Sequence, residues 1–225
     1  ATAAAANAST GRLRRHRNLY NGDCNFFFYN PELWQPEGRP YTAKAIHRVV
    51  DLLASSGVDT LLANPNTQVV WYPSAKLDYA LAGYRRGDRA FARPHATGMG
   101  LSAQQVEQSI NVLVEIFDLY VDLSEARVDW LAECAKACRR NRISPWLSYR
   151  MNDTHGSGAP DSPVNCRLFR NPKYRLSGRI PGPHAGTHPG WIECINIVYS
   201  CENRMNRRIA GGMHATIDRH GFTQR

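Results

Sequence analysis

Three short apolar runs alternate along the chain with segments that have helical periodicity. The runs are residues 25–29, 58–63 and 143–149, and each is bounded by turn-forming residues. Continuous apolar runs of this length are typical of strands that are buried on both faces of a parallel sheet. The pattern therefore predicts three short strands that lie parallel to one another.

Helical periodicity appears in three segments between these runs. In residues 42–56 apolar side chains recur at i, i+3, i+4 and i+7, and Gly57 follows as a helix stop. A capping box of Ser102 and Gln105 begins a second helix, and Ser124 is placed to cap a third. Because strand, helix and strand follow one another as a βαβ unit, the sequence predicts the α/β class with a parallel sheet.

The regular pattern stops at both ends of the chain, which sets the predicted domain organisation. Residues 1–17 are poor in bulky apolar side chains and are interpreted as a disordered basic leader. Residues 18–191 are the folded portion, and residues 192–225 form an atypical tail without a convincing period. Within the folded portion, residues 67–100 lack strong periodicity, which is typical of a functional loop.

The net charge of +9 is concentrated at the two ends of the chain. Residues 1–17 contribute +4 and residues 201–225 contribute +3, which leaves +2 for all the rest. A nearly neutral folded portion lacks the positive surface that dominates nucleic-acid affinity, so we expect no nucleic-acid partner. We also expect no membrane span, because no apolar run approaches the roughly 18 residues that a bilayer requires.

Cysteine usage and the start of the chain bear on cellular location. The six cysteines are too dilute for a disulfide scaffold, and they contain no CxxC pair. The alanine-rich segment from Ala1 to Ala8 is consistent with the part of the chain that remains after a signal peptide is cleaved. This start favours a secreted or periplasmic protein, whereas the oligomeric state is left open.

Polar residues follow all three predicted strands at their carboxyl ends. Ligands of parallel α/β sheets bind at this edge, where loops and helix N-termini converge. The polar residues are Asn30 and Glu32 at the first end, Asn64 and Asn66 at the second, and Arg150, Asn152, Asp153 and His155 at the third. Asparagine also forms ordinary turns, so the first two ends support both interpretations. Turns do not require arginine or histidine, which makes the third end the stronger candidate site.

The mixture of residue types at these ends points to a carbohydrate ligand. Amide and guanidinium groups pair with sugar hydroxyls, and Trp71 in a following loop could provide a flat ring for stacking, although packing is the alternative role. Hydrolysis of a glycosidic bond also requires two carboxyl groups about 5 to 10 Å apart. Asp153 and Glu32 are the catalytic candidates, but no feature of the sequence pairs them.

A metal site is the competing hypothesis. His184 and His188, together with His155, Cys166 and Cys194, could be assembled into a zinc site. The two histidines lie in a loop rich in glycine and proline, and the cysteines lack paired spacing, so we predict no metal ligands. No Walker or Rossmann glycine pattern is present either, and no cofactor is predicted.

Three strings in the chain resemble a known family. Residues 20–34 (YNGDCNFFFYNPELW), 57–74 (GVDTLLANPNTQVVWYPS) and 144–156 (SPWLSYRMNDTHG) resemble the N-terminal part of bacterial TIM-barrel proteins similar to family 10 glycoside hydrolases. The resemblance covers roughly residues 18–191. It implies a parallel (β/α) barrel that hydrolyses glycosidic bonds. The predicted substrate-binding residues are Asn30, Asn64, Asn66, Trp71, Arg150, Asn152 and His155.

Chain length modifies this expectation. A complete eight-stranded barrel takes about 250 residues, and three strands already occupy most of the first 150 residues here. We therefore expect an incomplete or truncated barrel. A non-catalytic fragment that binds a carbohydrate or a partner is the alternative function, and a metal-dependent hydrolase is the third.

Overall fold

A computed structural model gives the fold of most of the chain. The described residues are 16–150, 153, 155, 156 and 158–171. Most of the predicted leader, the tail from residue 192 and the substrate-binding prediction for Asn152 lie outside these residues. The pair His184 and His188 of the zinc hypothesis also lies outside them.

The described residues contain one parallel sheet of three strands. The strands are β1 (Leu19–Asp23), β2 (Thr60–Asn64) and β3 (Ser144–Leu147), and their order in the sheet is β1-β2-β3. Leu19 lies opposite Thr60, and Thr60 lies opposite Ser144. The predicted parallel pairing is therefore confirmed for β2 and β3, which overlap the predicted runs 58–63 and 143–149.

The prediction of a strand at residues 25–29 is wrong. The first strand ends at Asp23, and a short 3-10 helix follows at Cys24–Phe27. The Asp23 carboxylate caps this helix by accepting a hydrogen bond from the backbone N–H of Asn25. Phe27 and Phe28 are fully buried among other aromatic rings, and the Phe28 ring stacks on Tyr120 with centroids 3.8 Å apart. The run is apolar because its rings fill the core, which does not require extended backbone.

Six helices occur in the described residues. They are α1 (Pro31–Trp34), α2 (Ala43–Ser55), α3 (Arg89–Thr97), α4 (Ala103–Glu125), α5 (Trp130–Arg140) and α6 (Arg167–Arg170). The predicted α2 and the capping box at the start of α4 are confirmed. None of the described helices combines the length and the apolar character that crossing a bilayer requires.

The start of the last long helix differs from the prediction. Ser124 lies inside the final turn of α4 and caps nothing, whereas Asp129 caps α5 by accepting a hydrogen bond from the backbone N–H of Ala132 at 3.1 Å. Arg127 adopts a left-handed conformation, with φ of 55°, between the two helices. This residue turns the chain, so α4 ends later and α5 begins later than the periodicity indicated.

The expected TIM-type barrel is also wrong. In the described residues the sheet has three strands, and the 79 residues from Pro65 to Ile143 that separate β2 from β3 build three helices and a core loop. Helix α2 packs on α5, α5 packs on β3, and α3 packs on α4. The part of the chain that a barrel would use for further strands thus forms helices, of which α5 packs on β3, and the result is a small α/β fold.

Candidate functional site

Charged side chains from two strands meet at the carboxyl edge of the sheet. Asp23 ends β1, while Arg150, Asp153 and His155 follow β3. We call these four residues the strand-end cluster. Its position agrees with the general rule that ligands of parallel sheets collect at this edge.

Arg150 lies between two carboxylates. Its Nη2 is 2.7 Å from Oδ2 of Asp23, and its Nη1 is 3.2 Å from Oδ2 of Asp153. Burial opposes the positive charge, but the two carboxylates outweigh this effect and raise the pKa of Arg150. The Arg150 side chain nevertheless remains 32% exposed.

Asp153 also holds His155. The Nδ1 and the backbone N–H of His155 donate to Oδ1 of Asp153 at 2.8 and 2.9 Å. Burial would raise the pKa of Asp153, but hydrogen bonds from His155 and Arg150 outweigh it and lower that pKa, while the same Asp153 contact raises the pKa of His155. The Asp153 side chain is only 2% exposed and that of His155 is 56% exposed. Asp153 therefore positions the imidazole, whose Nε2 is the nitrogen left for a ligand.

Two of the predicted asparagines, Asn64 and Asn66, are buried beside the cluster and bind backbone groups. The amide of Asn66 accepts from the backbone N–H of Arg150 and donates to its carbonyl, both at 2.9 Å. Asn64 ends β2 opposite Asp23 and accepts from the backbone N–H of Asn66 at 3.4 Å. Both asparagines are buried. The Asn66 amide fixes the backbone at Arg150, the Asn64 amide holds the backbone of Asn66, and neither side chain is exposed to a ligand.

A second histidine lies close to the cluster. His95 of α3 is within 3.0 Å of the Ser162 hydroxyl through Nδ1, and burial lowers its pKa to about 4, with a further contribution from the charge of His155. The loop that carries Ser162 approaches α3 closely, since a side chain at Gly158 would collide with the carbonyl of Gly98. The sequence does not single out His95, because this residue lies within residues 67–100, which are predicted to be a loop, whereas Arg89–Thr97 form α3 in the structure.

The first predicted strand end does not join the cluster. Asn30 and Glu32 are exposed residues at the start of the short helix α1, and Asn30 makes no side-chain cap. In the described part of the chain neither side chain forms a hydrogen bond or an ion pair with Arg150 or Asp153. Asp23 instead supplies the second carboxylate. Its signal was present in the sequence, since the carboxyl-end rule would have selected it once β1 was placed correctly.

Trp71 lies in the core and offers no exposed ring. Its side chain is 3% exposed and stacks on Tyr120 with centroids 5.5 Å apart, and its carbonyl accepts from Nε1 of Trp130. The neighbouring Tyr72 is also buried, and its hydroxyl is 2.6 Å from that of Tyr149. The structure thus links this aromatic segment to Tyr149, the residue that precedes Arg150.

The described residues give no support to a metal centre. Among them, no group of three or more His, Cys, Asp or Glu side chains is arranged to hold a metal ion. Cys166 is buried, and this burial raises the pKa of its thiol. His155 is engaged by Asp153 through Nδ1.

The cluster combines three chemically different groups at one edge. A guanidinium, an imidazole and the Asp23 carboxylate each keep part of their surface exposed, and buried Asp153 and Asn66 fix the positions of the first two. Such a set can donate to and accept from adjacent hydroxyl groups. No protein-family model matches this chain, and a comparison with curated proteins gives no match.

Proposed function

We propose that the strand-end cluster binds a carbohydrate. The observation that supports this proposal is the rigid fixation of a partly exposed guanidinium and an exposed imidazole by one buried carboxylate, Asp153. Neighbouring sugar hydroxyls each donate and accept, and they bind well to planar groups held in fixed orientations. Arg150 and His155 supply the donors, and Asp23 supplies the acceptor.

Fixed polar groups favour binding because little side-chain freedom is lost when the ligand arrives. The backbone of Arg150 is held by Asn66, and its guanidinium is held on two sides by carboxylates. The ordering that a sugar would otherwise impose on a flexible arginine is already present. The sequence resemblance described above points to the same class of ligand.

Hydrolysis of a glycosidic bond is the second candidate function. The observation that favours it is the contact of Asp23 and Asp153 with the same guanidinium. Arg150 thereby holds the Asp23 carboxylate in the same cluster as the imidazole of His155, which Asp153 orients. Asp153 is buried and its pKa is lowered, so it is unsuited to donate a proton. In this mechanism Nε2 of His155 protonates the leaving oxygen, and Asp23 activates the attacking water.

The test uses the full chain and a panel of neutral and acidic oligosaccharides. Affinity is measured by calorimetry, and products are measured by chromatography. We expect His155→Ala and Arg150→Ala to weaken binding by about tenfold or more, since each removes a charge-assisted hydrogen bond. The matched control is Arg85→Ala, because Arg85 is exposed and has no ion-pair partner in the described residues.

The outcomes separate the two functions. Binding without products supports the binding function, whereas product formation that is lost in Asp23→Asn supports hydrolysis. Thermal melting of each variant shows whether it folds, and His155→Ala serves as the decisive variant because the exposed His155 side chain contributes little to the core. Undiminished affinity in folded His155→Ala and Arg150→Ala would show that the cluster is structural.

A further inference from the structure

The two edge strands of the described sheet differ in how well they are protected against further pairing. Strand β1 forms one edge and β3 forms the other. An unprotected edge presents a row of backbone N–H and C=O groups to which another strand can bind. Alternate residues of a parallel strand bond to the same neighbour, so the hydrogen bonds inside the sheet show which residues of each edge strand face outward.

The edge at β3 is blocked by a proline. The backbone N–H of Ser144 donates to the carbonyl of Asp59 at 2.8 Å, so Ser144 faces β2. The next residue, Pro145, faces the opposite side, where it presents no N–H to a further strand. Proline at such a position is typical of edges that are protected from pairing.

The edge at β1 has no such block. The carbonyl of Asn18 accepts from the backbone N–H of Thr60 at 3.3 Å, so Asn18 faces β2. By the same alternation Tyr20 also faces β2, whereas Leu19 and Asn21 direct their backbone N–H and C=O groups away from the sheet. These outward groups form no hydrogen bond in the part of the chain that the structure describes. The edge is therefore open at two alternate residues.

The side chains of β1 add an exposed apolar surface to this open edge. Leu19 is 54% exposed, Tyr20 is 37% exposed, and Asn21 is exposed as well. The ring of Tyr20 contacts Phe26 edge-on, with centroids 5.5 Å apart, which holds it beside the edge. The first four residues of β1 carry no charge. Natural proteins discourage the pairing of edge strands with charged residues or proline, and this part of β1 has neither.

A second copy of β1 fits this edge in an antiparallel orientation. When Tyr20 lies opposite Tyr20 of the second copy, Leu19 of each chain lies opposite Asn21 of the other. The residues with open backbone groups then form the hydrogen-bonded pairs, and each pair exchanges both of its N–H···O=C bonds. The two tyrosine rings lie next to each other at the centre, which is a favourable cross-strand pair. Such a contact is self-complementary, as a two-fold axis requires.

Charge at the two ends of β1 also favours the antiparallel orientation. In this alignment Arg17 of each chain lies opposite Asp23 of the other. The side chain of Arg17 has no ion-pair partner in the described residues, and that of Asp23 remains 38% exposed although it binds Arg150. A parallel alignment would instead place like charges side by side. The edge thus matches a second copy of itself in both hydrogen bonding and charge.

We propose that two copies of this chain associate through their β1 strands, antiparallel across a two-fold axis, so that their sheets join into one continuous sheet. A strand of five residues is too short to bury the roughly 1,000 Å² that stable interfaces exceed. The dimer should therefore be weak, with a dissociation constant of about 100 μM. This association is independent of the carbohydrate-binding function proposed for the strand-end cluster.

The test measures the oligomeric state of the full chain by sedimentation velocity at concentrations of about 5 to 500 μM, which bracket the expected dissociation constant. Two substitutions at Asn21 form a matched pair, since both remove the side chain and only Asn21→Pro also removes the outward N–H. Proline is tolerated where the N–H of an edge strand faces solvent. We expect Asn21→Ala to dimerise like the parent chain and Asn21→Pro to remain monomeric.

A second matched pair decides the question even where Asn21→Pro does not fold. Leu19 is 54% exposed and Leu33 of α1 is 62% exposed, so lysine at either position should preserve the fold. Leu19→Lys places two positive charges close together across the two-fold axis and should weaken the dimer about tenfold or more. Leu33 lies outside the strand, and Leu33→Lys should associate like the parent chain.

The antiparallel alignment has its own signature in NMR. Residues that face each other without hydrogen bonding bring their Cα atoms to about 4.5 Å in an antiparallel pair. In a sample that mixes isotope-labelled and unlabelled chain, we therefore expect a filtered NOE between the Hα of Tyr20 in one copy and that in the other.

The outcomes that contradict the proposal are distinct. A chain that stays monomeric at every concentration overturns it, and protection of the Asn21 amide from hydrogen exchange would then show that another segment of the same chain covers the edge. A dimer that persists in folded Asn21→Pro, or that Leu19→Lys and Leu33→Lys weaken equally, uses a different surface and overturns it as well. A dimer without the Tyr20 NOE overturns the antiparallel alignment.

Discussion

Two networks of arginine and carboxylate lie in different parts of this molecule. They differ in whether the protein satisfies all of the hydrogen-bonding capacity of the central side chain, which we call a closed network, or leaves part of it exposed to solvent. In one, the buried Asp122 carboxylate of α4 binds two guanidiniums: Arg39 through Nε at 2.9 Å and Arg86 through Nη1 at 2.7 Å. It also accepts from the backbone N–H of Tyr41 at 2.8 Å. Arg39 and Arg86 each bind a second carboxylate as well, Asp118 and Glu125, whereas in the strand-end cluster a single arginine binds two carboxylates.

The difference shows how similar chemistry serves structure in one place and a surface site in another. The Asp122 side chain is 4% exposed, and both of its carboxylate oxygens accept hydrogen bonds from the protein. These bonds join α4 to the two loops that carry its partners. In the cluster only Asp153 is closed in this way, while Asp23, Arg150 and His155 keep exposed polar surface. We regard the network of Asp122 as structural and the strand-end cluster as open to a ligand.

The largest expected effect comes from breaking the closed network. Asp122→Ala should lower the free energy of unfolding by about 3 kcal/mol, because it leaves the buried backbone N–H of Tyr41 without an acceptor and removes the carboxylate that Arg39 and Arg86 share. Denaturant unfolding at neutral pH measures this change. The control is Glu107→Ala, since Glu107 also binds two arginines, Arg89 and Arg93, but is 49% exposed and should cost about 1 kcal/mol or less. Equal losses in both variants would show that burial of the carboxylate does not decide how much it stabilises the fold.

The pH dependence of stability should reveal the buried histidine beside the open cluster. Because the pKa of His95 is lowered to about 4, the unfolded chain binds a proton that the folded chain resists between pH 6.5 and 4. Stability should therefore fall by roughly 3 kcal/mol as the pH drops through this window. His95→Asn should reduce the slope of unfolding free energy against pH. A slope unchanged by this substitution would show that His95 is protonated at ordinary acidity in the folded protein.

His155 provides the internal control for that experiment, because its effect has the opposite sign. Its raised pKa means that its contact with Asp153 stabilises the fold fully below the ordinary pKa of 6.5, and that this contribution is lost as the pH rises through the folded-state pKa. His155→Ala should thus flatten stability above pH 6.5 and reduce the acidic slope of His95 only in part, because burial lowers the pKa of His95 more than the charge of His155 does.

The smallest expected effect concerns the exposed carboxylate of the cluster. Asp23→Asn should change the free energy of unfolding by no more than about 1 kcal/mol, since the Asp23 side chain is 38% exposed and its ion pair with Arg150 is screened by solvent. The same substitution should weaken carbohydrate binding, which calorimetry measures. A stability loss as large as that of Asp122→Ala would place Asp23 with the closed network.

Local sequence signals predicted those parts of the fold that depend on local interactions. Helices α2 and α4 have clear apolar periods, and the capping box at Ser102 is present in the structure. Strand β1 was missed because its first three residues are exposed, so it carries no apolar run. The barrel was a wrong expectation because a resemblance in three strings does not determine what the intervening residues build.

The candidate site could be predicted only in part, for a similar reason. The polar residues after β3 were found because arginine and histidine are unusual in a turn, and Arg150, Asp153 and His155 do meet in the structure. Asp23 reaches Arg150 across 127 positions of the chain, and His95 is held near the cluster by Ser162 across 67 positions, and no local pattern encodes such contacts. Asn66 was selected as a ligand residue because sequence cannot show that its amide is consumed by the backbone of Arg150.

The register of the sheet has a consequence for how quickly the protein folds. Leu19 pairs with Thr60, and Thr60 pairs with Ser144, so neither strand pair joins neighbouring segments. Each pairing must close a loop of many residues before it gains any stabilising contact, and folding rates fall as such separations grow. Helix α4, with 23 residues and its own cap, can form without that delay. We expect refolding in which helical signal precedes the protection of strand amides, with assembly of the sheet as the slow step.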